Sequence, residues 1–167
     1  MKTILNVALL SMACLASVPA HADGTPNDKL QIQGVWAVSD GETNGRSLKT
    51  VLHEKGLGAM KIKFSNDVMT MTGPGVLSHT YQFVLKPKGQ PKVITLVTVE
   101  THGKAPEGSV IHGIYEIKGD TLKLCLPADS SGDRPEKFEA PNGSRLSLLV
   151  LSRQTDGDDE PAGPSDR

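Results

Sequence analysis

The chain has 167 residues, with 18 Lys and Arg against 19 Asp and Glu and a net charge of −1. This near-balance, without a basic block, argues against a nucleic-acid partner, which would need clustered cations on its phosphates. A single apolar run, near the N-terminus, and two cysteines argue against a polytopic membrane protein and a disulfide-built scaffold.

Residues 1–22 read as a secretory signal peptide. Lys2 is the positive start, residues 3–18 (TILNVALLSMACLASV) are apolar and uncharged, and Ala20-His21-Ala22 is an A-x-A cleavage site. The expectation is export to the periplasm or exterior, with cleavage after Ala22. An uncleaved anchor is the competing reading. A lipoprotein on Cys14 fits poorly, because Ser11 stands where a lipobox has an apolar residue. Cleavage leaves 145 residues, one domain, with a net charge of −2 and no second run of membrane length. Only Cys125 then remains, so no internal disulfide forms. It reads as a small buried hydrophobe, with an intermolecular or reactive thiol as the alternative.

Residues 23–29 are a polar lead-in, and the domain is expected over 30–154. Residues 31–39 form a first strand and 40–45 a polar turn. Residues 47–55 hold the one helical spacing, Leu48, Val51 and Leu52, stopped by Gly56. Residues 59–65 alternate through Met60, Ile62 and Phe64, turn at Asn66-Asp67, and return over 68–72 as a hairpin. Strands follow at 76–85, 92–100, 110–117, 121–126 and 144–153, joined by Pro/Gly loops at 87–91 and before 110, a turn at 118–120 and a polar loop at 129–136. The β-branched run at 92–100 predicts cover on both faces. Residues 155–167, with five acids and no apolar residue larger than Ala, read as a disordered acidic tail.

About eight strands joined in order predict an all-β, antiparallel, up-and-down barrel with one short helix. Closing the last strand on the first removes both edges. An open sandwich is the alternative.

The only tryptophan lies in Gly34-Val35-Trp36 of the first strand. Gly-x-Trp at that place resembles the lipocalin and calycin signature. The resemblance implies that Trp36 plugs one barrel end, that Arg153 of the last strand packs across its indole, and that Gly34 permits the approach. The bland readings are an ordinary core aromatic and a solvated strand-end arginine. Leu30, residues 113–125 (GIYEIKGDTLKLC), Arg134-Pro135 with Phe138, and residues 148–153 (LLVLSR) extend the likeness. Together they resemble the lipocalin-like domain of unknown function found in planctomycete bacteria, over about residues 30 to 154. That resemblance implies a barrel and an exported setting, and no reaction.

No chemistry stands out. His53, His79, His102 and His112 share no metal-type spacing, so no metal or cofactor is expected. No G-x-S-x-G occurs, Gly73-Pro74-Gly75 is a turn rather than a phosphate loop, and the carboxylates show no recognisable pair, so no catalytic residue is assigned. The Met and aromatic residues Phe64, Met69, Met71, Tyr81, Phe83 and Tyr115 are candidates to line a ligand cavity, or else to fill a solid core. Two functions compete. One is an exported, non-enzymatic barrel binding a small, mainly apolar ligand. The other is a filled-core module whose loops or exposed strand faces bind an envelope protein. The sequence leaves the oligomeric state open.

Overall fold

The structure, a computed structural model, describes residues 27–56, 59–74, 76–101 and 106–155. The expected signal peptide at residues 1–22, His102 and the expected acidic tail beyond Thr155 lie outside the described residues. The elements run α1 (Asp28–Gln31), β1 (Gly34–Thr43), β2 (Arg46–Ser47), α2 (Leu48–Glu54), β3 (Lys61–Ser65), β4 (Val68–Gly73), β5 (Val76–Lys86), β6 (Lys92–Thr101), β7 (Val110–Lys118), β8 (Thr121–Pro127) and β9 (Leu146–Arg153). β1 pairs with β3, each later strand pairs with the next, and β9 returns to β1, all antiparallel. The fold is a closed eight-stranded barrel with the two-residue β2 as an extra hairpin arm. Among the described residues no helix is long and apolar enough to cross a membrane.

The start of β1, the end of β9 and the β3–β4, β5–β6 and β7–β8 turns lie at one end, called the base here. α2 and the other connections lie at the mouth. Period-two alternation aims one side chain in two inward. Ile62 and Phe64 of β3, Ile94 and Leu96 of β6, Leu122 and Leu124 of β8, and Leu149 and Leu151 of β9 are buried in one core. Lys63, between the β3 pair, is exposed. The expected cover on both faces of β6 is corrected. Its outward Val93 and Val97 are half-buried and Val99 is exposed, because among the described residues no element fully covers that part of the wall. Cover occurs one strand further on. Ile114 and Cys125, register partners on the outer face of β7 and β8, are buried. The Cys125 Sγ donates to the carbonyl of Glu139, at 3.4 Å, in the segment leading to β9.

Several boundaries move. The first strand begins at Gly34 rather than residue 31, because the chain before it winds into the α1 turn. It runs on to Thr43, through the expected 40–45 turn. A bulge between Val38 and Asp40 keeps its pairing with β9, and only Asn44-Gly45 turn the chain into β2. β9 begins at Leu146, two residues later than expected.

Gly113 on β7 is required by space. A Cβ there would sit 2.3 Å from Leu126 Cδ2 and 2.7 Å from the Cys125 carbonyl oxygen. Backbone cannot move aside as a side-chain tip can. Gly113→Ala is expected to cost about 2 kcal/mol, read as a lower urea midpoint at unchanged slope.

Candidate functional site

The base is closed by a cation stacked on a tryptophan. Trp36 is fully buried, and its indole N–H donates to the Ile32 carbonyl at 2.8 Å. The Arg153 guanidinium carbon lies 4.1 Å from the centre of the Trp36 ring, a cation–π distance. The same guanidinium donates to the carbonyls of Gln31 (2.6 Å) and Gln33 (2.7 Å) and to Asp120 Oδ1 (3.1 Å). It therefore ties the N-terminal turn, the first and last strands and the β7–β8 turn together. Gly34 has φ +109°, and a Cβ there would stand 3.2 Å from Arg153 Nη1. Both the backbone angle and the approach of the arginine favour glycine.

A second polar group seals the base beside it. Asp28, on α1, is 4 % exposed. Its carboxylate accepts from the Tyr115 hydroxyl at 2.5 Å and from Lys92 Nζ at 2.9 and 3.2 Å. A buried carboxylate is tolerable only with such partners. Burial, then the hydrogen bond to Asp28 and its negative charge, pushes the Tyr115 phenol well above its ordinary pKa. Next to it, Lys29 pairs with Asp67 and sits 4.1 Å over the Phe83 ring. The residues read as a polar lead-in thus contribute Asp28 to the barrel itself. No local pattern announces it, since its partners lie 64 and 87 positions away.

The six residues expected to line a cavity split into two groups. Phe64, Met69, Phe83 and Tyr115 are essentially inaccessible. Phe64 and Phe83 meet edge to face with ring centres 5.1 Å apart. These four belong to a packed lower half above Trp36. Met71 and Tyr81 are half-buried, each one inward position closer to the mouth along its own strand than Met69 and Phe83, with Tyr81 the register partner of Met69. Burial raises the Tyr81 phenol pKa.

At the mouth, α2 lays Leu48, buried, and Leu52, half-buried, against the core. Between α2 and the barrel wall is an open cleft of about 300 Å³, lined by apolar Val38, Leu48, Leu52, Ala59 and Met60, with Asp40, Lys49 and His53 at its rim. Val38 and Met60 also pack against the core. Thr98, the register partner of Tyr81 on β6, is 2 % exposed, and its hydroxyl has no hydrogen-bond partner among the described residues. An unmade bond on a buried hydroxyl costs stability, so Thr98→Val is expected to stabilise by about 1 kcal/mol, measured by denaturant unfolding.

The nucleophile and ligand candidates do not converge. His112 points outward, with Nδ1 3.2 Å from Thr95 Oγ1. His79 lies beside Tyr81 on β5, ring centres 6.4 Å apart. Cys125 is buried on the outer face, where burial pushes its thiol pKa up and disfavours the reactive thiolate. Among the described residues no three His, Cys, Asp or Glu side chains gather as metal ligands. Comparison of the chain with family models, with curated proteins and with solved structures finds no match.

Proposed function

We propose that this protein is an exported, non-enzymatic barrel that binds a small, neutral, mainly apolar molecule at its mouth, under α2. The observation that carries this reading is the asymmetry of the two ends. The base is locked by the Trp36–Arg153 stack and the buried Asp28 group. A larger cleft of about 550 Å³ beside the base is lined in part by the charged Asp28, Lys29 and Asp67, whereas the cleft at the mouth, about 300 Å³ and at the lower end of ligand-site sizes, has apolar walls. Its walls are apolar and its charged groups, Asp40 and Lys49, are exposed at the rim, which favours a neutral guest over an ion. Met60 adds adaptable surface. The apolar run and A-x-A site of residues 1–22 support export.

The test is titration with the neutral dye N-phenyl-1-naphthylamine, alongside native mass spectrometry of protein purified without detergent. A saturable fluorescence gain that Leu52→Lys abolishes, or a discrete adduct released on denaturation, is the expected result. No gain and a bare chain mass would overturn it.

One observation favours a second reading, a filled-core module that binds an envelope protein. Val84, Val99 and Val110 are 57, 42 and 39 % exposed on the outer wall of β5, β6 and β7. Lys substitution at Val84 and Val99 is expected to abolish association with such a partner while leaving dye binding unchanged.

A further inference from the structure

A groove lies on the outside of the barrel, away from the mouth. Two adjoining clefts of about 550 and 520 Å³ share Gly89, Gln90 and Pro91 of the β5–β6 turn. The opposite wall is the segment that carries Arg134, Pro135 and Phe138, and Val93 and Tyr115 contribute to the lining between. Proline and aromatic surfaces of this kind suit a polyproline-type chain, which is already extended and loses little entropy on docking. The groove is also flanked by cations. Lys88 and Arg134, one on each wall, form no ion pair among the described residues. Of the two acids at the groove, Glu116 is neutralised by Lys118 at 2.8 Å, which leaves Glu136.

The chain carries a sequence of the complementary chemistry. Residues 156–164 read DGDDEPAGP: four acids followed by Pro161-Ala162-Gly163-Pro164, a P-x-x-P spacing. The segment starts within reach. The Arg153 N–H bonds to the Asp120 carbonyl and the Gln154 N–H to the Val35 carbonyl, which fixes the end of β9 at the base. Glu116, at the near end of the groove, lies on β7 close to the turn that holds Asp120, within about 13 Å of it. Residues 154–160 span up to about 24 Å when extended, roughly 10 Å beyond Glu116, which carries Glu160 and Pro161 along the groove toward Lys88 and Arg134 with Asp158 and Asp159 behind them.

We propose that the groove between residues 87–91 and 134–138 is a docking site for this chain's own acidic P-x-x-P segment, residues 156–164. The contact is intramolecular and combines proline–aromatic packing with screened charge attraction. A tethered segment competes at an effective concentration near millimolar, so the groove rejects the same sequence offered separately.

The test compares the full chain with a chain ended after Thr155, which keeps every described residue. A fluorescent synthetic peptide of residues 154–167 is titrated into each, with anisotropy as the readout. The expected result is saturable binding to the shortened chain and about tenfold weaker binding to the full chain. Lys88→Glu with Arg134→Glu, both exposed and harmless to the core, should abolish binding, and salt should weaken it. Equal binding to both chains would overturn the proposal, because the groove would then be empty of its own segment. So would no binding to the shortened chain, or binding untouched by the charge reversals.

Discussion

Replacing Arg153 by Ala is expected to destabilise the protein by about 3 kcal/mol. For a domain of this size that is a fall of roughly 10 °C in Tm. The estimate follows from what the guanidinium holds. Two donors reach the carbonyls of Gln31 and Gln33, and the plane covers the Trp36 ring. Charge-assisted hydrogen bonds are worth about 1.5–3 kcal/mol each when sheltered, and the stack about 1. Arg153 is 27 % exposed, so water recovers part of the loss, and the Asp120 contact, at an 84 % exposed carboxylate, adds little. Arg153→Lys should recover less than half, because a single ammonium cannot reach both carbonyls and stack at once. Trp36 is the only tryptophan, so its emission reports the base directly. It should shift to the red in Arg153→Ala before the global transition, as the N-terminal turn loosens. A Tm within about 2 °C of the parent would mean that the stack is ornament on an already stable closure.

Much of this could be read from the chain. Alternation in residues 61–65 gave the facing of Ile62 and Phe64 correctly, and the Leu48, Val51, Leu52 spacing placed α2. Strands in simple succession pointed to closure of β9 on β1. What could not be read has physical causes. Residues 28–31 are polar and too few for helical periodicity, and the burial of Asp28 depends on Tyr115 and Lys92, which reach it only once the sheet has closed. The outward valines of β6 look like core in a pattern that records polarity and not neighbours. Ile114 and Cys125 are covered while Val99 is not, solely because the segment before β9 crosses one part of the wall. Alternation likewise assigns Phe64, Met69, Phe83, Met71 and Tyr81 to the inner face. It cannot say that the first three are fully packed while the last two are only half-buried, since that depends on how side-chain volumes from eight strands add up at each level.

Removing the Asp28 carboxylate should cost at least as much as removing Arg153. Asp28→Ala takes the acceptor from a buried tyrosine hydroxyl and the counter-charge from Lys92. Breaking a buried ionic group from one side costs about 3–5 kcal/mol, and the one-third exposure of Lys92 places this case toward the lower figure. Tyr115→Phe alone leaves the carboxylate with Lys92 and should cost about 1.5 kcal/mol. The two changes share a bond, so the double variant should lose less than their sum by about 1–2 kcal/mol. Additive losses would mean that the 2.5 Å contact contributes nothing to stability. The same bond predicts a response to alkali. The folded-state phenol pKa lies above its ordinary value of 10.0, so its contribution is complete below pH 10. Above pH 10 the unfolded phenol gives up its proton while the folded one keeps it, and the unfolded state gains. Stability should therefore fall with rising pH by about 1.4 kcal/mol per unit for this one group. Urea unfolding of the parent and Tyr115→Phe between about pH 9 and 11.5 isolates the effect, because lysines and Tyr81 titrate in both. The parent curve should drop more steeply above pH 10, and parallel curves would show that Tyr115 ionises as freely in the fold as in the open chain.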